Sequence, residues 1–448
     1  MNTRKDPLKL VEMAESLVQF GRKSGADEIE ISIVDGTEFS VDVRQGNLEN
    51  LVEAGSRYMG LKVIKDKKTA FTTSSDLCPE TLRHLVKNAI RRARLASADK
   101  FCGLPPLSPV TTDIASLNMY DPEIQEFDSK TKIRLALETE NIALQDRRIS
   151  NSHSASCVTH ESKIVLASSN GFIGEYDRTY CSLSVGLQAG ETDHRVEDFW
   201  FSSKIHFRDL EPPEAIAKKA VERTVRQMNP RKIPTQKVPV IFEPMMTAWL
   251  LGFLFSCVSG VAVYQKATFL AGRLGQRIGN ETITIVDDGL MSGKLGSCPF
   301  DSEGVPTRKT VVVEKGILKN FLCNTYAARK LKLCATGNAE GNGVGPNNFY
   351  LESGAHSPEE IIASCDHALL LTRTLGHGLN PITGDISRGA FGLWIEKGEI
   401  TFPVSDITIS GNLGEILNNI ELIGNDLDFQ SPVCGPTIKV RELTVAGE

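Results

Sequence analysis

Apolar residues first recur at helical spacing. Leu10, Val11, Met13, Ala14, Leu17 and Val18 fall on one helical face, with Asp6 as a cap, Pro7 as the first helical residue and Gly25 as a stop. The period then changes to two. Ile29, Ile31 and Ile33 alternate with polar residues, as do Phe39, Val41 and Val43. Asp35-Gly36 and Gln45-Gly46-Asn47 predict turns after each set. Tyr58 to Ile64 and Thr69 to Thr73 predict two more strands around Lys65-Asp66-Lys67-Lys68. Pro79 opens a second helix whose buried face carries Leu82, Leu85, Val86, Ala89, Ile90 and Ala93. The first hundred residues therefore predict helix, four antiparallel strands, helix.

Residues 102–127 are proline-rich and aperiodic. A helix is predicted from Asp128 to Gln145, then strands to about residue 208 with a hairpin at Asn170-Gly171, then a helix from Pro213 to Gln227. The segment 229–239 holds three prolines and no periodicity, which marks a domain boundary. The expected division is 1–230 and 231–448. The second half is rich in glycine and short strands, with hairpins at Glu314-Lys315-Gly316 and Glu396-Lys397-Gly398. Both halves read as α+β. Met245 to Tyr264 is a run of twenty residues without a charge, long enough to cross a bilayer. Thr247, Gly252, Ser256, Ser259 and Gly260 dilute it, and only Lys266 flanks it closely, so it reads as the buried central helix of a domain, with no membrane partner.

The 448 residues carry a net charge of −6, which argues against a direct nucleic-acid-binding surface. No apolar leader follows Met1, and the ten cysteines form no CxxC pair. Reduced thiols in the cytoplasm are the expectation. Local catalytic motifs are missing. Gly289 to Lys294 is one residue short of a phosphate loop, and Gly341, Gly343 and Gly345 lack the dinucleotide spacing. No GxSxG elbow occurs, and His160-Glu161 has Ile164 and Val165 where a second histidine would fall. The histidines are dispersed.

Two loops concentrate unusual chemistry. Thr336 to Asn348 carries Gly337, Asn338, Asn347 and Asn348, whose glycines expose backbone and whose amides donate and accept. Gly376 to Gly389 carries Asn380, Asp385 and Arg388. Either loop is a candidate for binding a peptide or a partner. The plainer alternatives are a long surface loop for the first and an internal Asp385–Arg388 pair for the second.

LGSCPFDSEGVPTRKTVVVEKGILKNFLCNTYAARKL (295–331), ATGNAEG (335–341), NPITGDISRGAFGLWIEKGEI (380–400), GNLGEIL (411–417), IGNDLDF (423–429) and the terminal TVAG (444–447) together resemble the C-terminal signature of the TldD/PmbA family. VRQGNLEN (43–50) fits its N-terminal domain. The resemblance implies a two-domain α+β fold and a heterodimer of a catalytic TldD-type and a PmbA-type (TldE) subunit. It implies a metalloprotease acting on unfolded or small polypeptides. In the catalytic type, HExxxH lies on the first helix of the C-terminal domain and a cysteine near the C-terminus completes the metal site. Here that helix is the uncharged run, with neither His nor Glu around Trp249 to Ser256. Cys434 lies directly before the final strand, too close to it for the family's ligand. The departures match the PmbA type. They imply no catalytic residue and no cofactor here, with zinc confined to the partner. Phe253 and its helix would then serve the partner contact, and a homodimer is expected alone. The alternatives are an independent peptidase with a non-local site and a regulatory protein, since members have been described as DNA gyrase modulators.

Overall fold

The computed structural model describes residues 7–191 and 195–447; Asp6, the expected cap, and His194 lie outside them. The N-terminal half is built on α1 (Pro7–Lys23), β1 (Glu28–Arg44), β2 (Asn47–Lys65), β3 (Lys68–Ser74), α2 (Pro79–Leu95), α3 (Ser129–Leu144), β4 (Ile149–Ser168), β5 (Ile173–Ala189), β6 (Val196–Lys204) and α4 (Pro213–Val225). The six strands form one antiparallel sheet in the order β3-β2-β1-β4-β5-β6.

The turn expected at Asp35-Gly36 does not form. β1 runs straight through it, with Gly36 paired to Ser56 on one side and Ser162 on the other. A glycine in extended backbone breaks nothing when both neighbours supply a ladder. The meander thus has three strands, not four, and the alternation of β1 serves two cores. Ile29, Ile31 and Ile33 pack under α1 and α2, while Phe39, Val41 and Val43, on the same face, pack with α3 and α4. Burying each such side chain contributes about 1.5–3 kcal/mol. Leu82, Val86, Ala89, Ile90 and Ala93 of α2 are buried as the periodicity predicts, with Leu85 only partly so. All four helices cover one face. The opposite face, with Glu30, Ser32 and Val34 of β1, turns toward the C-terminal half.

That half begins with β7 (Gln236–Phe242), so the end of the supposed linker is a strand. α5 (Pro244–Val258) and α6 (Gly260–Tyr264) follow. The twenty-residue uncharged run therefore breaks at Ser259, and no helix among the described residues is long and apolar enough to cross a membrane. Next come β8 (Ile285–Asp288), β9 (Lys309–Glu314), β10 (Ile317–Leu318), α7 (Thr325–Leu331), β11 (Ala339–Glu340), β12 (Gly343–Val344) and β13 (Phe349–Leu351). The chain ends with α8 (Pro358–Ala363), β14 (His367–Leu375), β15 (Leu379–Asn380), β16 (Asp385–Glu396), β17 (Glu399–Asn412), α9 (Leu413–Asn418), β18 (Ile420–Ile423), β19 (Val433–Cys434) and β20 (Ile438–Ala446). One sheet runs β10-β9-β8-β13-β19. The other runs β14-β7-β20-β17-β16, and β16 pairs back to β14, closing a five-stranded ring to which β15 adds on β16 and β18 on β20. Both expected hairpins turn through paired positive φ values, at Lys315-Gly316 and Lys397-Gly398.

α5 lies in the largest core, with Leu250, Leu251, Phe253, Leu254, Cys257 and Val258 buried. Its N-cap residue, Glu243, joins the two halves. Glu243 Oε1 meets Arg226 Nη1 at 2.7 Å and Oε2 meets Arg223 Nη1 at 3.0 Å, both from α4 and the residue that caps it. Arg223 Nη2 also lies 3.2 Å from Asp198 Oδ2 of β6. Burial opposes ionisation of Glu243, but the two guanidinium groups outweigh it and hold the carboxyl below its ordinary range.

Candidate functional site

A cavity of about 590 Å³ separates the uncovered face of the N-terminal sheet from loops of the C-terminal half. This volume suits a small ligand. Its floor is β1 to β5, and its roof is formed by residues 295–302 and 337–347.

Asp287, at the end of β8, organises the roof. Its side chain is fully buried and accepts from Asn338 Nδ2 at 2.7 Å, Asn347 Nδ2 at 2.9 Å and the Asn347 backbone N–H at 2.9 Å. Burial pushes its carboxyl up to about 6, against the pull of the two amides. Asn348 braces the loop from behind. Its Nδ2 donates to the Asp288 carbonyl at 2.7 Å and to Ser297 Oγ at 2.9 Å, and its Oδ1 accepts from Gly296 N–H at 3.0 Å. Gly296 must be glycine, because a Cβ there would lie 2.0 Å from the Asn347 carbonyl oxygen. Asp301 pins the two roof segments together. It accepts from the N–H groups of Glu303 at 2.9 Å, Val305 at 3.0 Å and Ala339 at 2.9 Å. Burial, reinforced by Glu303, pushes it up to about 7.

Glu303 reaches from the roof to the floor. Its Oε1 lies 3.2 Å from Lys62 Nζ of β2, and its Oε2 accepts the Thr325 N–H at 2.8 Å. Burial draws the Lys62 ammonium down, but Glu30 and Glu303 outweigh it and leave it raised. Glu30, beside Lys62 on β1, is 8% exposed, and burial pushes its carboxyl up to about 7. Arg178 of β5 donates through Nη2 to the Leu295 carbonyl at 3.1 Å. Cys298 is half-buried, and desolvation pushes its thiol up to about 12, which makes it a wall group rather than a nucleophile.

The expected site residues separate into three places. Gly337, Asn338 and Asn347 line the cavity, with Asn348 behind them. The first loop is exposed at its tip, Glu340 to Asn342, but Asn338 and Asn347 turn inward as donors to Asp287. Asn380, Asp385 and Arg388 lie elsewhere, at an end of the ring. The expected Asp385–Arg388 pair does not form. Asp385 accepts from Thr383 Oγ1 at 2.6 Å and Asn412 Nδ2 at 2.9 Å, whereas Arg388 donates to the Leu375 carbonyl and lies over the Trp249 ring. Phe253 is 4% exposed inside this chain's own core. Glu30, Lys62, Asp287, Asp301 and Glu303 were not singled out by sequence. In Ile29-Glu30-Ile31 an alternating charge reads as a solvated strand face, and only the sheet's packing on a second half reverses that reading.

The donor set for a catalytic metal does not fit. Cys434, directly before the final strand, lies against α5: a Cβ built on the next residue, Gly435, would fall 2.3 Å from Thr247 Cγ2. But α5 offers no imidazole or carboxylate to join it, and the Cys434 thiol instead points to the Ser431 carbonyl at 2.8 Å. Among the described residues no cluster of three or more His, Cys, Asp or Glu side chains could hold a metal ion.

The chain thus joins a long sheet with one helical face to a closed ring through a loop-roofed cavity. Family profiles described as PmbA/TldA metallopeptidase domain 1, central domain and C-terminal domain match residues 29–93, 122–228 and 235–447. The chain belongs to the PmbA/TldD family. It is 33% identical over 441 residues to the metalloprotease PmbA of Escherichia coli O157:H7, covering 98% of this chain and 97% of that one. It is 31% identical to a PmbA homologue of Haemophilus influenzae, covering 96% and 94%. Among solved structures it superimposes on a protein of Bacteroides thetaiotaomicron, described as a candidate modulator of DNA gyrase, with TM-score 0.91 and 26% identity over 99% of this chain and all of that one. TldE of Thermococcus kodakarensis shares the fold, with TM-score 0.87 and 23% identity over 97% of this chain and all of that one.

Proposed function

We propose that this chain is the non-catalytic, PmbA-type subunit of a cytoplasmic metalloprotease, paired with a TldD-type chain and acting on unfolded or small polypeptides. The observation that carries the reading is α5. Where the resemblance expects HExxxH, this helix presents Trp, Leu and Phe, and it is packed into a core rather than opened toward a cleft. An ion held by imidazoles and a carboxylate general base both need groups that this helix lacks. The two halves, 1–230 and 231–448, would act as one body, with the roof loop at Gly337, Asn338, Asn347 and Asn348 shaping the path of the polypeptide.

The experiment is zinc loading followed by removal of excess and elemental analysis, run beside a peptidase assay. The chain alone should retain no stoichiometric zinc and cleave nothing, while a mixture with an HExxxH-bearing partner should do both. About one zinc per chain in the absence of the partner would overturn the reading.

A further inference from the structure

Two walls of the cavity each carry a buried acceptor without a donor. On the floor, Glu30 is 8% exposed, and its Oε2 receives no hydrogen bond from any described residue. On the roof, Asn338 is 2% exposed with its Nδ2 committed to Asp287 and to the Gly345 carbonyl, and its Oδ1 receives none either. A buried polar atom left unsatisfied keeps its desolvation cost without a hydrogen bond to offset it. Two of them lining one cavity point to a ligand that brings donors. The charges agree in sign. Glu30 and Glu303 flank the Lys62 ammonium, which is already taken by Glu303, with Asp301 near Glu30, while the cavity's other cation, Arg178, donates to the Leu295 carbonyl. The acidic excess suits a second cation.

We propose that this cavity receives a primary ammonium group of an extended peptide, with Glu30 as its counter-ion and Asn338 Oδ1 as a second acceptor. The rest of the peptide has a path. A neighbouring hollow shares Arg178, Leu295 and Pro432 with the cavity, and it continues over Ser182, Ser184 and Phe199 along the same sheet face. Hydroxyls and a ring along an open groove suit a chain recognised by backbone and general contact rather than by one side chain. The site belongs to this chain alone and needs neither partner nor metal, so its failure and that of the subunit reading are separable.

The test is calorimetric titration of the full chain with three probes: trialanine, N-acetyltrialanine amide, and Nα-acetyl-lysine N-methylamide. The expected result is binding of an ammonium-bearing probe and at least tenfold weaker binding of N-acetyltrialanine amide. Preference for trialanine assigns the peptide N-terminus, and preference for the lysine derivative assigns a side chain. Glu30→Gln should weaken the preferred probe at least tenfold. Thr73→Trp, placed at the exposed rim, should do the same by blocking the mouth, and it decides the matter if Glu30→Gln does not fold. Equal binding of the acetylated probe, no binding of either ammonium probe, or unchanged affinity in the folded variants would each overturn the proposal.

Discussion

Replacing Glu30 with Gln keeps the shape of a buried side chain and removes its proton equilibrium. Burial raises the folded-state carboxyl from the ordinary 4.5 to about 7. The unfolded chain therefore loses this proton at lower pH than the folded one. Below about pH 4.5 both states are protonated and Glu30 imposes no ionisation cost. Between 4.5 and 7 the folded state binds more protons, so its stability falls as pH rises, and above 7 the loss is complete. At about 1.4 kcal/mol per pH unit, the loss between pH 5 and pH 8 is about 2–3 kcal/mol. Urea denaturation of both proteins at pH 5, 6, 7 and 8 measures it. Lys62, Asp301 and Glu303 remain in both, so the changing difference between the two curves isolates Glu30. The Glu30→Gln variant should show a shallower pH dependence and gain on the wild type toward pH 8. Parallel curves would refute the assignment of a buried, uncompensated carboxyl at this position.

Glu243→Gln leaves the Arg223 and Arg226 guanidinium groups partly uncompensated and should cost about 3 kcal/mol in chemical denaturation. Asp287→Asn turns an acceptor of three N–H groups into a mixed donor and acceptor; a loss of about 2 kcal/mol is expected, with roof amides of Asn338 and Asn347 becoming faster in hydrogen exchange. Gly296→Ala forces the backbone away from Asn347 and should cost about 2 kcal/mol, read as a lowered Tm. Phe253→Asp buries a carboxylate in the largest core, and the soluble yield of the isolated chain should collapse; wild-type solubility with lost pairing would instead place this residue at a partner surface.

Periodicity read the helices well because their buried faces obey one rule. Ala89 and Ala93 of α2 needed no tertiary information to be placed. It failed at Gly36, where the residue's turn preference was overridden by ladders from β2 and β4, partners far away in sequence. The uncharged run was legible as core, but its break at Ser259 was not, since Val258 and Gly260 look alike to a hydrophobicity pattern. Of the cavity, only the Gly337 to Asn348 wall was visible, because clustered Gly and Asn carry a local signal. Asp287, Asp301 and Glu303 are ordinary acids in strand and loop segments. Their burial comes from the meeting of pieces from positions 287, 301 and 347, a non-local fact.

The closed ring imposes an order of assembly. β7, starting at Gln236, has β14 and β20 as its neighbours, and β20 reaches Ala446. No ladder on either side of β7 can exist until synthesis has passed residue 367, and the ring cannot close until β20, from Ile438, has been made. The N-terminal sheet has all its strands by Lys204. During that interval it can fold with its helices in place and its other face open to water. Glu30, Lys62 and Arg178 stand on that face. Until the roof arrives these charges are free to hydrate, a solvation that the finished cavity takes away.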